Sequence, residues 1–265
     1  MKKIILVAAL AAGLAAGAET RTWLANVDGA WNTPGMWSGG AVPGGGDTAD
    51  LSNLTGEKTL TLPAAVTVDQ IVYAPAVGSA TNKVTLAGST LSVNTSVTVG
   101  ERALLETSCD VKVTYVHGYL YTYGPGEWRI AKTLMSDNGS GRKLYQREGR
   151  ITLASGASMG YGVNLHPGTI DAALSPAEFV VEEDATVNFD KVNDFEFAQA
   201  ANSRFVFTMN GGTLLPRNAI NGGCFLNGLE TGSYSVMNIN GGTVDGTGKT
   251  FYPGFRGTGV VNQTS

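Results

Sequence analysis

The fold is decided by a nine-residue stretch that the chain contains twice, first as Val206-Phe207-Thr208-Met209-Asn210-Gly211-Gly212-Thr213-Leu214 and then as Val236-Met237-Asn238-Ile239-Asn240-Gly241-Gly242-Thr243-Val244. In both copies apolar and polar residues alternate as they do in a half-buried β-strand. The strand then meets Asn-Gly-Gly, which adopts the positive φ of a sharp corner at little steric cost. Weaker copies begin at residues 84, 151 and 180, and the steps from 151 through 180 and 206 to 236 are 29, 26 and 30 residues. Steps of this size are typical of one turn of a β-solenoid, whose rungs stack on their neighbours.

Short alternating runs occur through the rest of the chain, notably at residues 59–62, 66–68, 83–86 and 96–99. Each run gives a strand one buried face and one wet face. After the first eighteen residues the sequence has no sustained helical period, apart from a short helix-like stretch around residues 195–201. The sequence therefore predicts an all-β chain, with apolar side chains pointing into a common core and Thr and Asn forming ladders between rungs.

The composition excludes several other classes of protein. Glycine accounts for 36 of 265 residues, about twice the average usage, and charged residues make up only 15 %. A helical bundle or coiled coil needs more Ala, Glu, Lys and Leu than this chain offers. Intrinsic disorder is a poor fit because 43 % of the residues are hydrophobic and can build a core. Basic residues do not cluster with aromatic ones, so a nucleic-acid partner is not expected.

The first eighteen residues have the pattern of a cleaved secretory signal peptide. Lys2 and Lys3 give it a positive start, residues 4–10 form a short apolar core, and Ala16-Gly17-Ala18 supplies the small residues after which cleavage is expected. The apolar core is too short for a membrane anchor, and no other long apolar stretch follows, so no membrane span is expected. We therefore expect a secreted protein that is extracellular or lies on the outer cell surface.

Cysteines and histidines are few and far apart in the sequence. Export would permit a disulfide between Cys109 and Cys224, but distant residues of a repeat array rarely meet, so two buried thiols are the favoured interpretation. His117 and His166 each lie beside Gly or Pro in a turn-like stretch and lack the spacing of a metal motif. The glycines do not form a phosphate-binding loop before a helix. No cofactor and no metal site are therefore expected.

Residues 19–57 hold three of the four tryptophans, surrounded by turn-forming residues. Trp31 and Trp37 are candidate binding residues, because indole faces can stack on the sugars of a glycan. The favoured alternative is an N-terminal cap, because a repeat array must close its hydrophobic cross-section where it stops. The sequence therefore divides into a signal peptide at 1–18, a cap at 19–57 and β-solenoid repeats at 58–265.

Tyr119, Tyr121 and Tyr123 follow one another with period two, so they line one face of a predicted strand. Such a face can bind an extracellular glycan or another surface protein. Stacking of the same rings inside the solenoid core explains them equally well. Both interpretations stay open from the sequence alone.

An enzyme of this shape, such as a polysaccharide lyase, needs carboxylates that hold Ca²⁺ and an Arg or Lys that takes a proton. The best acidic cluster is Glu182-Glu183-Asp184, followed by Asp190, Asp194 and Glu196, with Arg204 as the nearest base. A solvated outer strand face is the favoured interpretation, because charged residues are mostly exposed. The sequence assembles no catalytic site, so a protein without enzymatic activity is expected.

The Trp-rich opening and the Asn-Gly-Gly-Thr-Leu and Asn-Gly-Gly-Thr-Val units together resemble the autotransporter-associated β-strand repeat of secreted bacterial β-helix proteins. The tail Gly259-Val260-Val261-Asn262-Gln263-Thr264-Ser265 is similar to the opening of another such unit. The resemblance implies a right-handed parallel β-helix, passenger-like in character, from a bacterial surface protein. It also implies that the chain is either an N-terminal fragment or a protein released without an anchor.

Two functions follow from the resemblance and the candidate residues. The first is a structural or adhesin-like scaffold on the cell exterior. The alternative is a carbohydrate-active β-helix, either a polysaccharide lyase or a glycan-binding module. An open apolar rung at the C-terminal end further predicts end-to-end self-association.

Overall fold

A computed structural model of the chain describes residues 18–76, 78, 80–114, 119–136, 142–160, 163–167, 176–188, 195–198, 201–216, 225–226 and 228–264. These residues form an all-β chain whose parallel strands stack into a β-solenoid of about eight turns, which confirms the predicted fold class. They contain no α-helix, and 3-10 turns lie at Pro34–Met36 and Ser38–Gly40. No helix of the described residues has the length and hydropathy that crossing a bilayer requires.

The strands of the described residues are, in chain order, β1 Thr20–Thr22, β2 Gly29–Ala30, β3 Thr48–Asp50, β4 Glu57–Leu62, β5 Val66–Tyr73, β6 Asn82–Gly88, β7 Leu91–Val99, β8 Ala103–Ser108, β9 Val111–Val113, β10 Tyr119–Tyr123, β11 Glu127–Ile130, β12 Thr133–Ser136 and β13 Arg142–Gln146. They continue with β14 Arg150–Leu153, β15 Ser158–Met159, β16 Val163–Pro167, β17 Ala177–Val181, β18 Thr186–Asn188, β19 Phe195–Glu196, β20 Arg204–Met209, β21 Thr213–Leu215, β22 Phe225–Leu226, β23 Tyr234–Ile239, β24 Thr243–Val244, β25 Phe251–Tyr252 and β26 Thr258–Gln263. The helix-like expectation around residues 195–201 is wrong, because β19 begins there and a bend follows it at 197–198.

Within the described residues, the strands of successive rungs pair with one another in three sheets. The main path of the first sheet runs β1-β3-β5-β7-β9-β12-β15-β18-β21-β24. The second sheet runs β2-β4-β6-β8-β11-β14-β17-β20-β23-β26, and a third short sheet joins β19, β22 and β25. Each sheet therefore grows by one strand as the chain completes a turn.

The first sheet forks at β7. The first half of this strand pairs with β9, and its second half pairs with β10. From there β10, β13 and β16 form a branch of their own. Polar side chains hold the fork, since Asn94 Nδ2 donates to the Gly45 carbonyl at 2.6 Å and Thr114 Oγ1 donates to Asn94 Oδ1 at 2.6 Å.

Alternation along each strand decides which side chains enter the core. In β6, Val84 and Leu86 are fully buried, whereas Thr85 between them is partly exposed. Buried apolar residues of this kind form one cluster that extends from the N-terminal tryptophans to the last turns. Stacking between rungs is direct, because the rings of Phe179 and Phe207 lie 6.0 Å apart and within 2° of parallel.

The duplicated stretch of the sequence lies in register on neighbouring rungs. Val206 pairs with Val236, thirty residues on, as predicted. Gly212 closes the corner of its rung with a φ of +73°, which is the conformation that glycine adopts at least cost. The predicted asparagine ladder is also present, because Asn240 Nδ2 donates to Asn210 Oδ1 at 2.9 Å.

The register of the preceding rungs differs from the prediction. Ile151 pairs with Phe179, and Phe179 pairs with Phe207, so both of these steps are 28 residues rather than 29 and 26. Residues 179–181 are all apolar, so their sequence does not alternate and does not indicate which side chain faces the core. A shift by one residue exchanges the two faces of a strand. Val180 accordingly pairs with Thr152 on the outer face.

Three tryptophans close the N-terminal end. Trp23, Trp31 and Trp37 are each 0 % exposed. The Trp37 ring contacts Trp23 edge to face at a centroid distance of 5.1 Å and lies 4.8 Å from Trp31, whose carbonyl accepts a 2.7 Å hydrogen bond from Trp37 Nε1. β1 and β2 pair with β3 and β4, so the cluster is built into the first turn, and the expected boundary between residues 57 and 58 falls inside β4.

The predicted buried thiol is confirmed for Cys109, which is a free cysteine. Burial raises the pKa of this thiol to about 11, and the neighbouring carboxylate of Asp110 adds to the shift. A thiol with such a pKa is an inert packing group at neutral pH. Cys224 and residues 1–17 of the predicted signal peptide lie outside the described residues.

Candidate functional site

The branch of the first sheet carries the predicted tyrosines on its outer face. In β10, Leu120 and Thr122 point inward and are buried, whereas Tyr119 and Tyr123 are 37 % and 41 % exposed. Tyr121 lies between them on the same outer face and is partly exposed. The interpretation in which these rings fill the solenoid core is therefore excluded.

The next rung adds two residues to these tyrosines. β13 pairs with β10 so that Tyr145 lies opposite Tyr121, and the two rings stack at 5.2 Å with an interplanar angle of 21°. The guanidinium carbon of Arg147 lies 4.8 Å from the centre of the Tyr145 ring and 5.4 Å from that of Tyr121. We call Tyr119, Tyr121, Tyr123, Tyr145 and Arg147 together the tyrosine–arginine surface.

The remaining ring contacts make this surface continuous. Tyr119 contacts Tyr121 at 5.1 Å in a tilted arrangement, and Tyr123 stacks on Tyr121 at 5.8 Å. Partial burial raises the pKa of Tyr123, the neighbouring Tyr121 adds to the shift, and Arg147 opposes it. The Tyr123 phenol therefore stays protonated at neutral pH and remains a hydrogen-bond donor.

The inner side of β13 fixes the strand that carries Tyr145 and Arg147. Gln146 is fully buried, and its Nε2 donates to the carbonyls of Gly149 at 3.0 Å and Glu178 at 2.8 Å. These bonds tie the strand to the next corner and to the following rung. Rigid strands hold a binding constellation more accurately than loops do.

Sequence reasoning missed Tyr145 and Arg147, although a signal for them exists. Residues 143–147 repeat the pattern of residues 119–123, with Leu in the second position and aromatic or long polar residues around it. The register confirms this offset, because Lys143 lies opposite Tyr119 and Leu144 opposite Leu120. Overlaying the tyrosine run on the rest of the chain would have shown the second strand.

The other candidate aromatic residues present no ring face to a ligand. Trp31 and Trp37 are completely buried in the N-terminal cluster, where they pack on each other and on Trp23. A sugar stacks on an accessible face, and these side chains have none. The candidate surface therefore includes the tyrosines, whereas the tryptophans belong to the N-terminal cluster.

One member of the acidic cluster, Glu182, is engaged in an ion pair. Arg129 binds Glu182 through two hydrogen bonds of 3.1 and 2.6 Å and also lies 3.7 Å from Glu106. The hydrogen bond from Arg129 lowers the pKa of Glu182, while partial burial opposes the shift. Among the described residues, no three His, Cys, Asp or Glu side chains lie together in a way that could hold a metal ion. Asp190 and Asp194 lie outside that part of the chain.

The structure describes the backbone of one of the two histidines. His166 does not lie in the expected turn, because it belongs to β16, where its backbone pairs with that of Tyr145. His117 lies outside the described residues.

Comparison of the chain with protein-family models, curated proteins and solved structures finds no match. The likeness to the autotransporter-associated repeat therefore rests on the quoted sequence units alone. The geometry of the tyrosine–arginine surface is the observation that bears on function.

Proposed function

We propose that this protein is a secreted, adhesin-like β-solenoid scaffold that binds an extracellular glycan through the tyrosine–arginine surface. The observation that carries the proposal is the assembly of four tyrosine rings and one guanidinium on the outer face of two neighbouring rungs. A contiguous exposed patch of aromatic side chains is typical of an interaction surface. Export is supported by the signal-like pattern of residues 1–18.

The chemistry of the surface suits a carbohydrate. Phenol groups combine an apolar ring with a hydroxyl that donates and accepts hydrogen bonds, which matches the mixed character of a sugar. The surface lies along strands instead of in a pocket, so it can bind an extended polymer along part of the polymer's length.

The alternative, a polysaccharide lyase, has weaker support. An open groove of about 350 Å³ follows one corner of the solenoid and includes Arg102, Glu127, Arg150 and Glu178. Its Arg150 and Glu178 are already paired with each other at 2.7 Å. Release of unsaturated or reducing ends from pectin or alginate in the presence of Ca²⁺ would favour this alternative over the scaffold.

Tyr121→Ala tests the proposal, because Tyr121 contacts every other member of the tyrosine–arginine surface. We expect retention on a panel of immobilised bacterial and host polysaccharides to fall at least about tenfold, as it does when a central aromatic anchor is removed. Affinity electrophoresis measures the retention, and circular dichroism checks the fold.

Tyr234→Ala is the matched control for that experiment. Tyr234 is 43 % exposed but belongs to β23 of the second sheet. Retention that survives Tyr234→Ala and is lost with Tyr121→Ala supports the proposal. Equal retention by both variants, or no retention of any polysaccharide by the unmodified protein, would contradict it.

The far end of the solenoid presents an apolar surface where all three sheets end. Val244 of β24, Val261 of β26, Phe251 and Tyr252 of β25, and Phe255 are between 37 % and 45 % exposed, and we call them the apolar end face. Val244, Phe251 and Val261 border a cavity of about 250 Å³ lined largely by apolar groups. Because the tryptophans close the other end, the matching surface is the same face of a second copy, as in a two-fold dimer. The proposal therefore includes association of two copies through this face.

Val261→Lys is expected to weaken this association. A lysine in the middle of the face brings two positive charges together in the dimer and buries them without partners. Sedimentation velocity over a range of protein concentrations measures the effect, with the unmodified protein forming dimers and the variant remaining monomeric. Val27→Lys, at another exposed valine near the opposite end, is the control. A monomeric unmodified protein would contradict the association.

A further inference from the structure

We infer that the glycan bound by the tyrosine–arginine surface is acidic, so that it carries carboxylate or sulfate groups. The inference rests on the proposed function and specifies its ligand. Two independent observations support it, namely which parts of the tyrosine rings remain available and which charged groups surround them.

The faces of the central rings are already occupied by their neighbours. Tyr121 has near-parallel rings on it from Tyr123, at 25°, and from Tyr145, at 21°. The guanidinium of Arg147 lies over both Tyr121 and Tyr145. Ring faces carry the negative part of the aromatic quadrupole, and ring edges carry the positive part. Because the faces are used within the protein, the ring edges and the phenol O–H groups of Tyr121 and Tyr123 are what a ligand meets.

Positive edges and O–H donors favour a ligand that is rich in acceptors. An anionic group accepts hydrogen bonds more strongly than a neutral hydroxyl does. A neutral pyranose gains most by stacking on an open ring face, and the stack at Tyr121 does not offer one. The arrangement of the rings therefore favours an acidic polymer over a neutral one.

Two cations flank the rings without a carboxylate close by. Lys143 is exposed and lies opposite Tyr119, and Arg147 directly follows the last residue of the same strand. Within the described ranges, no carboxylate oxygen comes within 4.0 Å of the nitrogen atoms of either side chain. The nearest acidic residue in sequence, Glu148, instead accepts a 3.2 Å hydrogen bond from the backbone N–H of Gly124.

The second sheet provides the contrast. There Lys83 lies 3.1 Å from Glu106, Arg129 lies 2.6 Å from Glu182, and their charges are neutralised within the protein. The chain as a whole has a net charge of −4, so a local excess of positive charge is not a general property of its surface. A carboxylate or sulfate of the ligand would supply the anionic partner that neither Lys143 nor Arg147 has among the described residues, and the guanidinium can bind either group with two hydrogen bonds.

Two matched pairs of polymers test the inference. Dextran sulfate is compared with dextran, and alginate is compared with carboxyl-reduced alginate, by affinity electrophoresis and titration calorimetry of the full chain. We expect binding to at least one acidic polymer and at least about tenfold weaker binding to its neutral counterpart. Raising the ionic strength from about 0.05 M to about 0.5 M should weaken binding further, because exposed charges are screened. Preference for alginate or for dextran sulfate then identifies the carboxylate or the sulfate as the recognised group.

Lys143→Gln removes one cation and leaves the ring stack in place. We expect it to weaken binding to the acidic polymer about threefold to tenfold, with the thermal midpoint unchanged. Lys112→Gln is the control, because Lys112 lies on β9, the other arm of the fork. Arg147→Lys keeps the charge but loses the planar fork, so it should weaken binding less than Arg147→Gln does.

The outcomes separate this inference from the proposed function. Equal binding of acidic and neutral polymers, abolished by Tyr121→Ala but unaffected by Lys143→Gln, would overturn the acidic ligand and leave the glycan-binding surface intact. Binding of no polymer in either pair, acidic or neutral, would overturn the inference together with the proposal on which it rests. Loss of binding in both Lys143→Gln and Lys112→Gln would indicate attraction by the overall charge and would also contradict a specific site.

Discussion

Gly212→Ala is expected to lower the free energy of unfolding by about 2–5 kcal/mol, the sum of a left-handed backbone penalty and overpacking against the neighbouring rung. The φ of Gly212 is +73°, and a Cβ atom there would lie against the carbonyl oxygen of Ala185 and 2.8 Å from that of Glu182. Both oxygens belong to the backbone of the rung below, which cannot give way as a flexible side chain can. Urea unfolding followed by circular dichroism measures the loss.

Gly156→Ala is the control, because it has the same φ of +73° but nothing within 4 Å of the added Cβ. Only the backbone penalty applies there, and we expect a loss of about 1 kcal/mol. The difference between the two variants measures how closely successive corners approach each other. Equal losses would mean that the rungs are not stacked as tightly at Gly212 as the structure has them.

Trp37→Ala is expected to destabilise the protein by about 3–5 kcal/mol, the usual cost of removing a fully buried large aromatic side chain. The Trp37 ring contacts both other members of the N-terminal cluster and is 0 % exposed. Its loss leaves a void at the end of the solenoid and opens the core of the first turn to water. Thermal unfolding, together with a scattering measurement of aggregation, reports both effects.

Two conservative variants separate packing from hydrogen bonding in this cluster. Trp37→Phe keeps most of the apolar volume but removes the 2.7 Å bond from Nε1 to the Trp31 carbonyl, so we expect a loss of about 1–3 kcal/mol. Trp31→Phe should cost less, because Trp31 Nε1 is buried with no hydrogen-bond partner among the described residues. Trp37→Ala with a stability equal to that of the unmodified protein would show that the cluster does not cap the core.

Much of the fold could be predicted from the sequence because its signals are local. Alternation in runs such as 83–86 identifies the strands, and the corner at Gly211-Gly212 identifies a rung. Register between rungs is not local in the same way. The predicted register was wrong at Val180, because three consecutive apolar residues do not show which one points inward. The structure places Phe179 in that position.

Only part of the candidate surface could be predicted from the sequence. The period of Tyr119, Tyr121 and Tyr123 places them on one face, but whether that face points inward depends on the neighbouring Leu120 and Thr122 and on the rung above. Tyr145 joins the surface only through the pairing of β13 with β10. Contacts between rungs depend on the length of the intervening turn, and the turns of this chain vary in length, so periodicity within one strand could not show them.

The fork at β7 has a consequence for how such a protein can change over evolution. The turns that lead up to β7 are stacked before the branch begins, so the branch is an addition to the framework and not a support for its first rungs. Inward residues of the branch, such as Leu120 and Leu144, are constrained by core packing, whereas the outward tyrosines lie outside the core. We therefore expect related chains to keep the two leucines and to differ at the tyrosines, because an exchange on the outer face leaves the core unchanged.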